Sequence, residues 1–243
     1  MDVLETTAII VLGALAGSLA GAVIHALADR IPAGLAAIGP VICPHCRGSY
    51  SFDRFIPGRR GSCASCGHVL SWYKPLTEAA AAGIVLLALL LHGLSLAGLV
   101  AAFFSLILLL ILRIDWQHHL IPGVVIIPGL VLALGVAAFR SEPDLSSAAA
   151  AAAGAGLVFL GFYALGILLY RQPVLGFGDV LLAALIGAMT GTRQAVLALF
   201  VGMVIAVTAG GIIAMMLDGQ DRRGHIPYGA YLCVASILVL LLS

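Results

Sequence analysis

Charge is scarce in this chain. Of its 243 residues only 9% are Asp, Glu, Lys or Arg, against 62% hydrophobic, and the mean hydropathy is +1.16. A water-soluble domain of this length needs a far more charged surface, so that class is excluded. No GxSxG and no HExxH is present, which removes the serine-elbow and zincin hydrolases. The net charge is +1 and no strongly basic or acidic tail occurs, so nucleic acid is not expected as a partner. A basic leader stretch is missing as well. The chain begins MDVLETT, with Asp2 and Glu5 where a cleavable signal would carry Lys or Arg. The apolar run that follows to about Ala28 therefore reads as a retained anchor.

What is there in quantity is apolar sequence, gathered in long blocks rather than helical stripes. These blocks predict an all-α polytopic membrane protein with eight transmembrane helices, at roughly 6–28, 76–92, 95–112, 121–139, 147–169, 174–191, 194–217 and 226–242. The lipid bilayer is the expected environment. Breaks fall at Pro32, at HGLS, at RSEPDLSS, at RQP and at DGQDRRG. Residues 30–75 stand apart as polar and loop-like, which divides the chain into a first helix (1–29), a small domain (30–75) and a membrane core (76–243). If 30–75 is cytoplasmic, alternation puts ten of the twelve Lys and Arg residues on that side and leaves Arg140 and Arg193 opposite. By the positive-inside rule the N-terminus is then outside. The alanine-rich run 146–157 reads as helix packing, since small residues let helices approach closely in lipid.

Four of the five cysteines lie in 30–75, as Cys43-Pro-His-Cys46 and, sixteen residues on, Cys63-Ala-Ser-Cys66. Two CxxC knuckles at such spacing can close a tetrahedral thiolate site around Zn²⁺. The alternative is unpaired thiols in a flexible loop; disulfides do not suit a cytoplasmic segment. A domain this small with little apolar content needs a metal to fold. Four sulfur ligands leave no open position, so the metal reads as structural. His45 and His68 stand beside the knuckles as alternative ligands. Cys233, in the last span, reads as a small buried hydrophobe.

Two carboxylates remain inside or at the ends of spans, and ionisable groups there usually mark function. Asp115 lies in LILRIDWQHH and, taken alone, reads as an interfacial ion pair with Arg113. Asp179 lies in GFGDV with no basic residue within five positions. The topology count places both at the cytoplasmic ends of their helices. Gly176 and Gly178 clear space beside Asp179. Two aspartates brought together share one proton, so one serves as general base on water and the other as general acid toward an amide. His118 and His119 read as surface anchors, and Trp72, Tyr73 and Trp116 as interfacial aromatics.

In this order the motifs resemble the type IV prepilin peptidases, membrane aspartic proteases of the GxGD type. Gly21-Ala-Val-Ile-His-Ala-Leu-Ala-Asp-Arg-Ile-Pro32 is similar to the family's first-span ending, and the double CxxC loop follows with Asp53-Arg-Phe-Ile-Pro57 inside it. Tyr73-Lys-Pro-Leu-Thr-Glu78 opens the second span. Ile114-Asp115 with Leu120-Ile-Pro122 resembles the first catalytic motif, and Gly176-Phe-Gly-Asp179 the second. Ile226-Pro227-Tyr228-Gly229 resembles the closing P-Y-G element.

The resemblance implies cleavage of a short basic leader from prepilins or pseudopilins, after a glycine, at the cytoplasmic face of a bacterial inner membrane. It further implies N-methylation of the new N-terminal residue from S-adenosylmethionine. It carries Asp115 and Asp179 over as the catalytic pair and Cys43, Cys46, Cys63 and Cys66 as the zinc set. The chain departs from the family at Leu181, where Lys is usual, at Gly123, where Asp or Asn is usual, and at His25, where Asn is usual. No glycine-rich S-adenosylmethionine loop on a Rossmann pattern occurs. A peptidase without methyltransferase activity is therefore the second reading, and a zinc-capped transporter whose aspartates bind cations is a third from another class. The pilus or secretion system served and the oligomeric state carry no signal in the sequence.

Overall fold

Backbone amides in hydrocarbon must be satisfied within the segment, and long apolar runs therefore become helices. The computed structural model describes residues 3–36, 43, 45–46, 48, 56, 58, 60–69, 71–172, 175–216 and 228–243. Among these it has seven helices: α1 (Val3–Arg30), α2 (Tyr73–His92), α3 (Leu96–His118), α4 (Gly123–Ala137), α5 (Leu145–Tyr170), α6 (Phe177–Met216) and α7 (Tyr228–Leu242). The only β pairing among the described residues is an isolated bridge between Ser62 and Val69. The all-α expectation holds. Pro227 and most of the Asp53–Pro57 element lie outside the described residues.

Five helices are long and apolar enough to cross a membrane by length and composition: α1, α2, α3, α5 and α6. At 15 residues each, α4 and α7 reach only about 22 Å, short of a hydrocarbon core of about 30 Å. Length and composition alone thus do not confirm eight spans. The expected spans 174–191 and 194–217 fall together in α6, which has one non-helical residue, Gly191, at φ 73° and ψ 175°.

The chain forms two compact units, Met1–Arg113 and Ile114–Ser243. In the first, α1 and α2 run antiparallel in close contact. Glycines on one face of α1 allow this. A Cβ at Gly17 would lie 2.5 Å from the Ala82 Cα, and one at Gly21 would lie 2.5 Å from the Glu78 Cα. α1 ends where Pro32 approaches, since the residue before proline is pushed out of helix and proline has no amide to donate. At the start of α2, buried Lys74 pairs with buried Glu78. Lys74 Nζ also donates to the Ile56 carbonyl at 3.4 Å, and the Gly58 amide donates to Glu78 Oε2 at 2.9 Å. This pair fastens the end of the polar segment to α2.

In the second unit α5 and α6 pack most extensively, and α6 also meets α4 and α7. Asp144 caps α5, its side chain accepting from the Ser147 amide. The alanine run presents Ala148, Ala151, Ala152 and Ala155 as a buried stripe. The first arm of α6 lies antiparallel on it, with Ala184 beside Gly156 and Gly187 against the Ala151 backbone. At Gly191 the chain then reverses. Thr192 donates its amide to Ser147 Oγ at 3.1 Å, at the beginning of α5. From there Leu199 and Met203 share a groove with Ala155 and Phe159, and Val207 lines a second groove with Leu169 and Tyr170. The second arm therefore runs back along α5, and α6 is a helical hairpin whose corner is a glycine because φ is positive there.

A Cβ at Gly187 would sit inside contact distance of the Ala151 carbonyl, whereas one at Gly135 would meet nothing within 4 Å. Gly187→Val should lower stability by about 1–3 kcal/mol or more, the usual result of overpacking. Gly135→Val should change it by less than about 0.5 kcal/mol, as surface substitutions do. Thermal unfolding in detergent reads the difference; equal midpoints would show that α5 and α6 do not approach so closely.

Candidate active site and metal centre

Asp115 lies in the last turn of α3 and Asp179 in the first turn of α6, with relative exposures of 4% and 7%. A carboxylate buried so deeply needs donors, and main-chain amides supply them. The Ala230 amide donates to Asp115 Oδ2 at 2.7 Å. Ala230 sits in the first turn of α7, where helix amides have no intrahelical acceptor, so one contact satisfies both groups. The helix N-terminus adds a favourable field for the negative charge.

Asp179 is fixed by its own helix. Its side chain reaches back so that Oδ2 accepts from the Gly176 amide at 3.1 Å, while its own amide donates to the Gly176 carbonyl at 3.0 Å. This is the reach-back half of a capping box, with Gly176 at the cap and Asp179 three residues in. Asp179 Oδ1 is left buried with no hydrogen-bond partner among the described residues. The GxGD pattern thereby acquires a steric account. A Cβ at Gly176 would stand 3.2 Å from Asp179 Oδ2, and one at Gly178 would stand 2.7 Å from the Ile121 Cβ.

Ile121 joins the two halves of the site. It fills the space beside Gly178 and also lies 2.8 Å from where a Cβ of Gly229 would be. That same Cβ would be 3.0 Å from Asp115 Oδ2. The two aspartates lie within electrostatic reach of each other. Pro122 caps α4 in extended conformation, directly after Ile121. Trp116 meets the Tyr231 ring edge-on at 6.4 Å beside Asp115, and Phe177 meets Tyr163 likewise at 6.0 Å beside Asp179. Tyr228 opens α7 and lines the groove along α5. His119 bends the chain out of α3 with φ at 49°.

The ion pair between Asp115 and Arg113 does not form. Asp115 is held by Ala230, and no nitrogen of Arg113 has a hydrogen-bond partner among the described residues. Residues two apart on a helix leave it on different faces, which is the physical reason. Sequence reasoning did not single out Ala230 or Ile121. The signal for both was positional: each adjoins a Gly or Pro of a motif, where backbone rather than side chain does the work.

The four cysteines converge. The Sγ atoms of Cys43, Cys46, Cys63 and Cys66 all lie within 4.8 Å of one another, with Cys43 to Cys66 at 3.7 Å and Cys46 to Cys63 at 3.4 Å. Tetrahedral zinc–thiolate geometry with bonds near 2.3 Å requires sulfur separations of about 3.8 Å. Each knuckle turns back on its own amides: Cys43 donates to the Gly48 carbonyl at 2.8 Å and Cys63 to the His68 carbonyl at 2.9 Å. Gly67 takes φ of 69°, and a Cβ at Gly48 would strike Ser65 Oγ at 2.7 Å. An amide hydrogen bond from His68 favours the Cys66 thiolate, yet the neighbouring sulfurs, Cys46 foremost, push that thiol up to about 12. His45 and His68 stack on each other at 4.7 Å and are not among the converging ligands.

Comparison with known proteins gives the family. The profile of the Type IV leader peptidase family matches residues 102–212, which contain both aspartates, and that of the Bacterial Peptidase A24 N-terminal domain matches 11–92, which contain the cysteines. Similar proteins include the Prepilin leader peptidase/N-methyltransferase of Bacillus subtilis (strain 168), 30% identical across 93% of this chain and 91% of that protein. Proteins of the same name from Pseudomonas putida and Legionella pneumophila are 29% and 27% identical, over 75% and 82% of this chain and 63% and 70% of their own lengths. No solved structure matches the chain. With both profiles in order and the Bacillus relative aligned nearly end to end, the chain belongs to the type IV leader peptidase family, as a multi-pass inner-membrane protein.

Proposed function

We propose that this chain is a prepilin peptidase that cleaves the basic leader of type IV prepilins or pseudopilins after a glycine, with Asp115 and Asp179 as the acid–base pair. The observation that carries the reading is the arrangement of two buried carboxylates in mutual electrostatic reach. Each is anchored through Oδ2 by one main-chain amide, and Asp179 Oδ1 is left unengaged. One proton is shared between the pair. The unprotonated carboxylate takes a proton from water as that water attacks the scissile carbonyl. The protonated one gives its proton to the departing amide nitrogen. The pair then returns to its starting state with one proton, so the cycle balances.

The anchored oxygens set orientation and the free one is available to water or the shared proton. Burial excludes bulk water and strengthens every charge interaction within the site. Gly178 and Gly229 admit the Ile121 side chain between the two motifs, and Gly176 keeps a side chain off Asp179 Oδ2. The cytoplasmic face is supported by the distribution of Lys and Arg along the chain.

The names of the relatives also support a second reaction, N-methylation of the new N-terminal residue. S-adenosylmethionine would serve there as the methyl donor. Zinc bound by Cys43, Cys46, Cys63 and Cys66 would hold the 30–75 segment folded, without an open coordination position for chemistry.

Asp115→Asn and Asp179→Asn should each reduce cleavage of a purified prepilin by at least ~10²-fold, the low end of general acid–base contributions. Their thermal midpoints should stay near wild type. Cleavage retained in either variant would overturn the dyad. Mass spectrometry of the processed product should show a single added methyl in the presence of S-adenosylmethionine; cleavage without it would leave a peptidase alone.

Elemental analysis of the purified chain should find one zinc per molecule. The double substitution Cys46→Ser with Cys66→Ser should abolish that content. A full zinc complement in the double variant would place the metal elsewhere.

A further inference from the structure

We infer that Arg113 forms an oxyanion-binding site, receiving a carboxylate or phosphate group from a molecule outside the chain. Arg113 is only 5% exposed, and Nε, Nη1 and Nη2 are all buried with no hydrogen-bond partner among the described residues. A guanidinium presents five N–H donors in a planar fork. Leaving all of them unmet in a dry site is strongly unfavourable, so a charge of this kind is paired.

The side chain is held ready for a planar acceptor. Its Cζ lies 4.5 Å from the Tyr73 ring centroid, which fixes one face of the fork. Arg60 sits over the preceding aromatic, Trp72, at 4.3 Å, so two cations rest on consecutive rings at the start of α2. The acids nearby are already engaged. Asp29 acts on Arg113 electrostatically but accepts no hydrogen bond from it, and pairs instead with His25 at 3.6 Å. Glu78 is bound to Lys74 and to the Gly58 amide.

Arg113 lies five residues before the end of α3, in the last part of an apolar span. Two sources of the anion fit that depth. One is the carboxylate of S-adenosylmethionine, the other the phosphate of an anionic phospholipid. The site itself rests on Arg113 and not on the methyl-transfer reading.

The full chain, purified in neutral detergent, is titrated by calorimetry with four probes. S-adenosylmethionine is paired with decarboxylated S-adenosylmethionine, which lacks only the carboxylate. Short-chain phosphatidylglycerol is paired with a short-chain diacylglycerol, which lacks the phosphate. One oxyanion-bearing probe should bind wild type and bind Arg113→Gln at least about tenfold more weakly, as loss of a charge-assisted bidentate contact implies. Its counterpart without the oxyanion should not distinguish the two. Whichever pair responds names the source. Arg113→Lys keeps the charge but loses the fork, so it should also bind more weakly and serves if the Gln variant does not fold. The inference is overturned if no oxyanion-bearing probe separates wild type from the variants. It is equally overturned if Asp29→Asn lowers the thermal midpoint as much as Arg113→Gln while binding is unchanged, since the guanidinium would then be served within the chain.

Discussion

The hydrogen bond from the Ala230 amide to Asp115 is the contact on which the site depends. A carboxylate 4% exposed at the end of an apolar helix must find donors or lose its charge. The first turn of a helix has donors to spare, because its amides have no acceptor of their own. Bringing α7 to Asp115 resolves both deficits together. Gly229 permits the approach, since a Cβ there would press on Asp115 and on Ile121 alike. Asp179 solves the same problem differently, by turning back on the amide that opens its own helix. Both carboxylates are therefore positioned by main chain, and Asp179 keeps Oδ1 without a partner among the described residues.

Close approach is the common device beyond the site. Hydrocarbon offers no hydrophobic drive for helices to associate, so contact area and short interhelical distance must do so. Gly17 and Gly21 bring α1 onto α2, Gly187 brings the first arm of α6 onto the alanine stripe of α5, and Gly202 brings the second arm onto Leu232 of α7. The alanine run needs no function to explain it; its buried face is what the first arm rests on. Gly191 differs in kind, since its positive φ makes a corner rather than a contact.

Apolar runs located the helices because in lipid the backbone has few alternatives. The CxxC pairs located the cysteine cluster because two short, metal-sized turns leave little else for four thiols to do. The apolar blocks 174–191 and 194–217 read as two spans, and they stand as two arms of α6. The corner between them is one dihedral at Gly191, and the grooves that Met203 and Val207 share with α5 residues give the second arm its direction. Arg113 was read as the partner of Asp115 from proximity in sequence. The structure instead stacks it on Tyr73, forty residues earlier, a contact no local pattern encodes. Ala230 escaped notice for a related reason: its contribution is an amide, which every residue but proline possesses.

That dependence on main chain bears on the family departures. A site held by side-chain partners would register each neighbouring substitution, whereas amide donors persist through changes of residue type. Leu181 and Gly123 stand where the family usually carries Lys and a polar residue, yet neither contributes to the contacts that anchor Asp115 or Asp179. At Gly123 a Cβ would meet nothing within 4 Å, so no steric demand selects glycine there. What the geometry does demand is smallness at Gly176, Gly178 and Gly229, and the chain meets it at all three.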